Sequence, residues 1–192
     1  MNAIELLKQQ HETTKDALER MCKGDLEEDE LRLMADELVA HMVIEEHVFY
    51  PRVRQLKKDL VKESFEEHTV ARFELARVLM ASGEERTARL TVLKELIEHH
   101  VEEEEKELFP KVQRGISAAE LDLLGEKMEA MFEKAVDAGL ENLVVSGAES
   151  GVELAAPRGG LEAVRGRASR TRVAAVAKAR PGAALRARAA TR

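Results

Sequence analysis

Residues 41–51 and 100–110 repeat one pattern, in which a histidine precedes a glutamate by four residues and a proline by ten. The two pairs are His41 with Glu45 and His100 with Glu104. Residues four apart lie on one face of an α-helix, about 6 Å apart along its axis, so each pair presents an imidazole beside a carboxylate. This pairing is typical of a metal-binding helix. If the two pairs bind metal, both stretches must be helical and their His/Glu faces must point toward the protein interior.

A histidine also precedes each pair by about 30 residues. His11 lies 30 residues before His41, and His68 lies 32 residues before His100. The chain therefore reads as two copies of a helical hairpin, each with one histidine on its first helix and a His-x-x-x-Glu pair on its second. We predict an all-α fold, an antiparallel up-down four-helix bundle with an additional C-terminal helix and a basic low-complexity tail.

Apolar residues at helical spacing and capping signals predict the helix limits. Asn2 with Glu5, Asp25 with Glu28, and Ser82 with Glu85 are expected to cap the first, second and fourth helices. The third should start near Asp59 and end around Ser82-Gly83. Pro51 should kink or end the second helix. A fifth helix is expected from Ser117 to about Gly139, packed on the outside or the end of the bundle.

The charge of the chain changes near its C-terminal quarter. The whole chain carries −7, but from Ser146 onward ten basic residues face three acidic ones, which leaves −14 on residues 1–145. We assign residues 1–140 to the helical domain and 141–192 to a basic Ala/Arg-rich tail, flexible or partly helical. The tail could bind nucleic acid or an acidic partner, although it has no aromatic residues to support that interpretation.

The sequence favours a cytoplasmic protein. Its single cysteine, Cys22, excludes an intramolecular disulfide and fits a reducing compartment. No signal peptide is visible, and no apolar run is long enough to suggest a membrane span. The sequence does not indicate an oligomeric state.

Six side chains could converge in such a bundle: His11, His41, Glu45, His68, His100 and Glu104. Imidazole nitrogens and carboxylate oxygens suit iron or manganese, and carboxylates in bundle cores commonly bridge two ions. Six ligands exceed a closed tetrahedral zinc site, so two ions are the better count. If both glutamates bridge, six-coordinate ions keep positions for a bridging oxygen species and a small exogenous ligand.

At these residues, over roughly positions 1–112, the chain resembles the hemerythrin family in its single-domain HHE cation-binding form. The resemblance implies a four-helix bundle with two non-haem iron ions, carboxylate-bridged and with an oxo or hydroxo bridge possible. It implies that His11 and His41 serve one iron and that His68 and His100 serve the other. Glu45 and Glu104 would bridge the two.

Two departures separate this chain from the oxygen-carrying hemerythrins. Arg72 stands where they have a further histidine, and Glu104 stands four residues after His100 where they have an aspartate five residues after it. These departures argue against simple reversible oxygen carriage, although carrier, sensor and enzyme all stay open as roles. The resemblance implies binding, sensing or detoxifying of O₂, peroxide or NO, with catalase-like peroxide breakdown as one form. The alternatives are iron storage or iron-centre repair, and a metal-dependent regulator that uses the basic tail.

Several other residues have less specific interpretations. His47 and His99 lie off the ligand faces and should be exposed. The acidic run Glu102, Glu103, Glu105 and Glu107 is expected to be a solvated face. Arg72 is either a surface residue or part of the rim of the metal pocket, while Tyr50 and Cys22 are expected to serve packing.

Overall fold

The computed structural model describes residues 1–25 and 27–139, so the predicted basic tail lies outside the described residues. The described part is helical, without a β-strand. Its α-helices are α1 (Ala3–Cys22), α2 (Glu28–Ile44), α3 (Tyr50–Val53), α4 (Lys58–Met80), α5 (Gly83–Glu103), α6 (Phe109–Gly115) and α7 (Ala118–Ala138). No helix in residues 1–25 and 27–139 is long and apolar enough to cross a membrane.

A π-helical turn follows each His-x-x-x-Glu pair and begins at its glutamate. The turns span Glu45–Phe49, between α2 and α3, and Glu104–Leu108, between α5 and α6. In each turn the N–H of the residue before the proline bonds to the glutamate carbonyl five residues back. The prolines then fall in the first turn of α3 and α6, where a missing N–H costs little.

Pro51 does not itself kink or end its helix, as the sequence predicted it would. The irregularity lies upstream of the proline, in the π-turn, and the helical path continues through Pro51 to Val53. The π-turn holds one extra residue, which shifts the backbone hydrogen bonds that follow it. The nitrogen of Pro51 therefore falls where the helix does not need an N–H donor. The same holds at Pro110, where α6 continues to Gly115.

Of the three proposed caps only the first forms, and a further cap forms at Ser117, where the fifth helix was expected to start. Asn2 and Glu5 make a reciprocal capping box on α1, and the Ser117 hydroxyl accepts from the Glu120 N–H at the start of α7. Ser82 precedes α5 but its side chain makes no capping bond, and α2 begins after Glu27, also without a side-chain cap. Asp25 instead helps to end α1, because its backbone N–H bonds to the Arg20 carbonyl. Gly24, just before it, has a positive φ of 93°, which lets the chain leave the helix there.

The helices pack in a closed set of contacts. α1 packs on α2, α2 on α4, α4 on α5 and α5 on α1, while α7 packs on α1 and α2. The approach of α7 to the start of α1 requires Gly125, because a Cβ there would lie 2.2 Å from the Met1 carbonyl oxygen. The fifth predicted helix is therefore present, and it lies against the first two.

Two apolar clusters fill the interior, and α1, α2, α4 and α5 each place one of the four predicted ligand histidines between them. The first cluster includes Leu7, Ile44, Val61 and Leu108, and the second includes Leu18, Leu38, Leu75 and Ile97. His11 lies between Leu7 and Leu18 on α1, and His68 lies between Val61 and Leu75 on α4. The structure thus places a polar layer between two apolar layers.

Candidate metal centre

Four buried histidines form two pairs in the polar layer. His11 of α1 and His41 of α2 have ring centroids 4.9 Å apart, and His68 of α4 and His100 of α5 have centroids 4.7 Å apart. In both pairs the rings meet nearly edge to face. Each of these four residues is at most 5% exposed. The four predicted histidines are therefore together, one from each of four helices.

Two fully buried glutamates connect the histidine pairs. Oε2 of Glu45 lies 3.2 Å from Nε2 of His41 and 3.3 Å from Nε2 of His68. Oε2 of Glu104 lies 3.4 Å from Nε2 of His11 and 3.7 Å from Nε2 of His100. Each carboxylate therefore reaches both pairs.

The outer nitrogen of every histidine has a hydrogen-bond acceptor of its own. Nδ1 of His11 bonds to Glu105 at 2.9 Å, Nδ1 of His41 to Gln10 at 2.8 Å, Nδ1 of His68 to Glu46 at 2.9 Å, and Nδ1 of His100 to Glu67 at 2.7 Å. Carboxylates can only accept, so Nδ1 of His11, His68 and His100 carries the hydrogen, and the Gln10 amide oxygen likewise accepts the Nδ1–H of His41. Such outer partners fix the ring and turn the Nε2 lone pair toward a metal. All four Nε2 atoms face inward.

Tyr50 lies within the centre, not merely in the packing around it. Its hydroxyl donates to Oε1 of Glu104 at 2.9 Å and lies 3.4 Å from Oε2 of Glu45 and 3.3 Å from Nε2 of His68. Burial, together with the nearby charges of Glu104 and Glu45, raises the pKa of the Tyr50 hydroxyl well above its usual value. The phenol therefore keeps its proton.

The corresponding position of the second repeat carries no hydroxyl. Phe109 precedes Pro110 as Tyr50 precedes Pro51, and its ring stacks on His11 with centroids 5.8 Å apart. The two halves of the centre are thus chemically different. The Tyr-Pro and Phe-Pro difference between the repeats was the available sequence signal for a special role of Tyr50.

Arg72 is buried, so the interpretation of this side chain as a surface residue is wrong. Its guanidinium makes two hydrogen bonds to Glu46, at 2.7 and 3.0 Å, and the same carboxylate accepts from His68. Burial would raise the pKa of Glu46, but the hydrogen bonds from His68 and Arg72 hold it at about 2. Arg72 therefore acts on the centre through Glu46 and His68.

Part of the acidic run expected to be solvated belongs to the centre. Glu105 holds His11, whereas Glu102 pairs with Lys106 and Glu107 with Lys57 near the surface. Gln10, Glu46 and Glu67 hold the other three histidines and were not singled out from the sequence. His47 and His99 are exposed, as expected.

Burial and neighbouring charges set the protonation of the metal-free centre. Burial alone would lower the pKa of His11, but Glu104 and Glu105 raise it to about 9. Burial likewise opposes the charge on His68, but Glu45 and Glu46 raise its pKa to about 9. His41 is different, because burial outweighs Glu45 and lowers its pKa. Protons on His11 and His68 thus balance the buried carboxylates.

The donor atoms fit metal ions. His11 with His41 and Glu45, and His68 with His100 and the same Glu45, each place three donor atoms within 4.8 Å of one another. Nε2 of His11, Oε1 of Glu45 and Oε2 of Glu104 are buried without a hydrogen-bond partner. Buried polar atoms are rarely left without a partner, so atoms of these types facing a common space suit a cation.

A small cavity of about 10 Å³ adjoins the four imidazoles. The rest of its wall is largely apolar: Thr14, Leu38, Met42, Ile97 and Val101. This volume suits one water-sized molecule. The site therefore combines metal-binding donors with room for a small ligand.

Comparison with known proteins supports a metal-binding assignment. The family model described as the hemerythrin HHE cation binding domain matches residues 2–112, more than half of the chain. No curated protein and no solved structure gave a match. The matched segment contains all six predicted ligands and both π-turns. The chain therefore belongs to the hemerythrin family, through an HHE cation-binding domain.

Proposed function

We propose that the chain is a non-haem di-iron protein. His11 and His41 would hold one ion, His68 and His100 the other, and Glu45 and Glu104 would bridge them. The observation that carries this proposal is the contact of each glutamate with both histidine pairs, at 3.2–3.3 Å for Glu45 and 3.4–3.7 Å for Glu104. A single ion would not require both carboxylates to span both pairs.

We also propose that α1, α2, α4 and α5 form an antiparallel up-down bundle. Along α1 and α4 the order is first cluster, histidine, second cluster. Along α2 the order is reversed, from Leu38 through His41 to Ile44. Along α5 and the π-turn that follows it the order is also reversed, from Ile97 through His100 to Leu108. Opposite orders through one shared polar layer are the pattern that alternating helix directions produce.

The proposed ligand is O₂, peroxide or NO. Bound iron would supply electron transfer and open coordination positions for such a molecule. The cavity beside the imidazoles, about 10 Å³, suits molecules of this size and its apolar wall disfavours charged ones. Arg72 supports this choice over oxygen carriage, because it pairs with Glu46 and leaves no additional histidine at that position.

The residues of the chain have distinct roles in this proposal. The outer partners of the histidines keep the four Nε2 atoms aimed inward, so that metal binding does not require the rings to reorient. Tyr50 keeps a proton beside Glu104, where it can stabilise negative charge on that carboxylate or on a neighbouring small ligand. The apolar layers on both sides limit the access of water. The cytoplasmic location expected from the sequence is part of the same proposal.

Rapid mixing of the reduced, iron-loaded protein with O₂, NO and peroxide tests this function. We expect a spectral change with at least one of the three. Sustained O₂ release from peroxide, lost in Glu104→Ala and kept in Glu102→Ala, would indicate a catalase-like enzyme. A stable spectral change without turnover would indicate binding or sensing. An iron-loaded protein that reacts with none of the three would refute the proposal.

A further inference from the structure

A second His-x-x-x-Glu pair lies on α5, one residue before the pair of the inner centre. His99 and Glu103 repeat the spacing of His100 and Glu104, but one residue of helix turns them by about 100°. They consequently face the surface, and His99 is 64% exposed. The feature that points inward in the metal centre is thus repeated toward solvent.

Glu67 of α4 completes a group of three around His99. Nε2 of His99 lies 3.8 Å from Oε1 of Glu67 and 3.7 Å from Oε1 of Glu103. The three residues place a donor atom each within 4.8 Å of one another. One imidazole and two carboxylates suit divalent ions such as Fe²⁺ and Mn²⁺, with water in the remaining positions.

Within residues 1–25 and 27–139, the two carboxylates of this group have only histidines as ion-pair partners. The Glu103 side chain is 23% exposed, but its Oε2 is enclosed and has no hydrogen-bond partner, although His99 beside it is open to solvent. No lysine or arginine of those residues forms an ion pair with Glu67 or Glu103. Two carboxylates on neighbouring helices repel each other, and a buried oxygen without a partner is costly. A cation beside His99 would relieve both.

Glu67 connects this group to the inner centre. Its Oε2 accepts the Nδ1–H of His100 at 2.7 Å, while its Oε1 faces His99. One carboxylate therefore serves His100 on one side and the exposed group on the other. An ion held by His99 would be separated from the inner histidines by a single side chain.

We propose that His99, Glu67 and Glu103 form an outer site for a divalent metal ion, from which iron is loaded into the inner centre. The outer site stands on its own geometry. The loading role rests on the proposed di-iron function.

The test uses the full chain loaded with iron and titrated with Mn²⁺. Bound Mn²⁺ is counted by loss of the electron paramagnetic resonance signal of the free ion, while iron retained by the protein is measured in parallel. We expect one saturable Mn²⁺ per chain without loss of iron. His99→Asn and Glu103→Gln should each weaken this binding by about tenfold or more, since even outer partners of metal ligands change affinity by that factor.

Matched variants control for charge and exposure. Glu102→Gln removes the same charge one residue away on the same helix, and His47→Asn removes another exposed histidine. Both should bind Mn²⁺ as the unaltered chain does. The absence of saturable binding, or equal binding in His99→Asn and His47→Asn, would overturn the outer site.

Loading of the metal-free protein with limiting Fe²⁺ tests the second half of the proposal. His99→Asn should load more slowly and reach the same final iron content as the unaltered chain. An unchanged rate would refute the loading role. A chain that binds Mn²⁺ at His99 and takes up no inner iron would refute the di-iron function while leaving the outer site intact.

Discussion

The Tyr50 hydroxyl donates a 2.9 Å hydrogen bond to Oε1 of Glu104, a residue 54 positions later in the chain. Tyr50 belongs to the first repeat and Glu104 to the second, and both are fully buried. The same hydroxyl lies 3.4 Å from Oε2 of Glu45. The bond therefore joins the two halves of the centre at the carboxylates proposed to bridge the ions.

Replacement of Tyr50 by phenylalanine should destabilise the metal-free protein more than the iron-loaded protein. It removes the donor to a buried carboxylate oxygen, which should lower the free energy of unfolding by about 1–3 kcal/mol. Iron would compensate Glu104 in the loaded protein, so the loss there should be smaller. Urea unfolding with and without iron measures both. Phe65→Leu, which alters a ring packed on Tyr50, is the control. If Tyr50→Phe lowers the free energy of unfolding equally in the metal-free and the iron-loaded protein, the account is contradicted.

Arg72→Met should destabilise the protein by about 3 kcal/mol, because it removes the guanidinium that pairs with the largely buried Glu46 carboxylate and leaves His68 to offset that charge. Arg72→Lys keeps the charge but loses the two-pronged contact, so its stability should be intermediate. Thermal or urea unfolding of the three proteins orders them. If both variants match the unaltered chain in stability, the ion pair does not have the role assigned to it.

Gln10→Glu should strengthen metal binding. His41 is the one proposed ligand whose Nδ1 partner is a neutral amide, and a carboxylate there would make the imidazole a stronger donor. The expected gain is on the order of tenfold. Competition with a chelator measures it. Gln9→Glu adds the same charge at the neighbouring exposed position, and an equal effect of the two variants would show that only net charge matters.

Metal binding should release protons at neutral pH. In the metal-free protein the pKa of both His11 and His68 is about 9, so both rings are protonated at pH 7 and must lose that proton to bind an ion through Nε2. Metal affinity should therefore rise as pH increases toward 9. A pH indicator in weakly buffered solution detects the release, and binding without it would contradict the assigned protonation.

The same shifts define the stability of the metal-free protein. The pKa of His11 and His68 is raised on folding, so their contribution is fully present below about pH 6.5 and is lost as pH rises through 9. The pKa of Glu46 is lowered, so its contribution is present above about pH 4.5 and is lost as pH falls toward 2. The free energy of unfolding in urea, measured across pH, should therefore be highest between these limits. Iron loading should extend that range to higher pH.

The helical fold and the convergence of the six side chains could be predicted because both follow from spacing. A histidine four residues before a glutamate fixes a shared helical face, and repetition after about 60 residues fixes a second copy. The π-turns could not be predicted, because Pro51 is equally compatible with a kink or a helix end. Ser82 shows a similar limit: a capping residue in the sequence does not ensure a capping bond.

The outer partners of the histidines were missed for a different reason. Glu46 and Glu105 each directly follow a proposed bridging glutamate, and acidic residues at such positions are usually solvated. Only the three-dimensional contacts with His68 and His11 distinguish them. Arg72 and Tyr50 likewise acquire their roles from partners on other helices. Local spacing can predict which side chains converge in such a site, but not what surrounds them.

The iron content of protein purified without oxygen, together with its Mössbauer spectrum, tests the central claim most directly. We predict about two iron ions per chain, reduced strongly in His41→Ala and unchanged in His47→Asn. A content of about one ion or none after iron supplementation, or full retention of iron in His41→Ala, would contradict the di-iron centre.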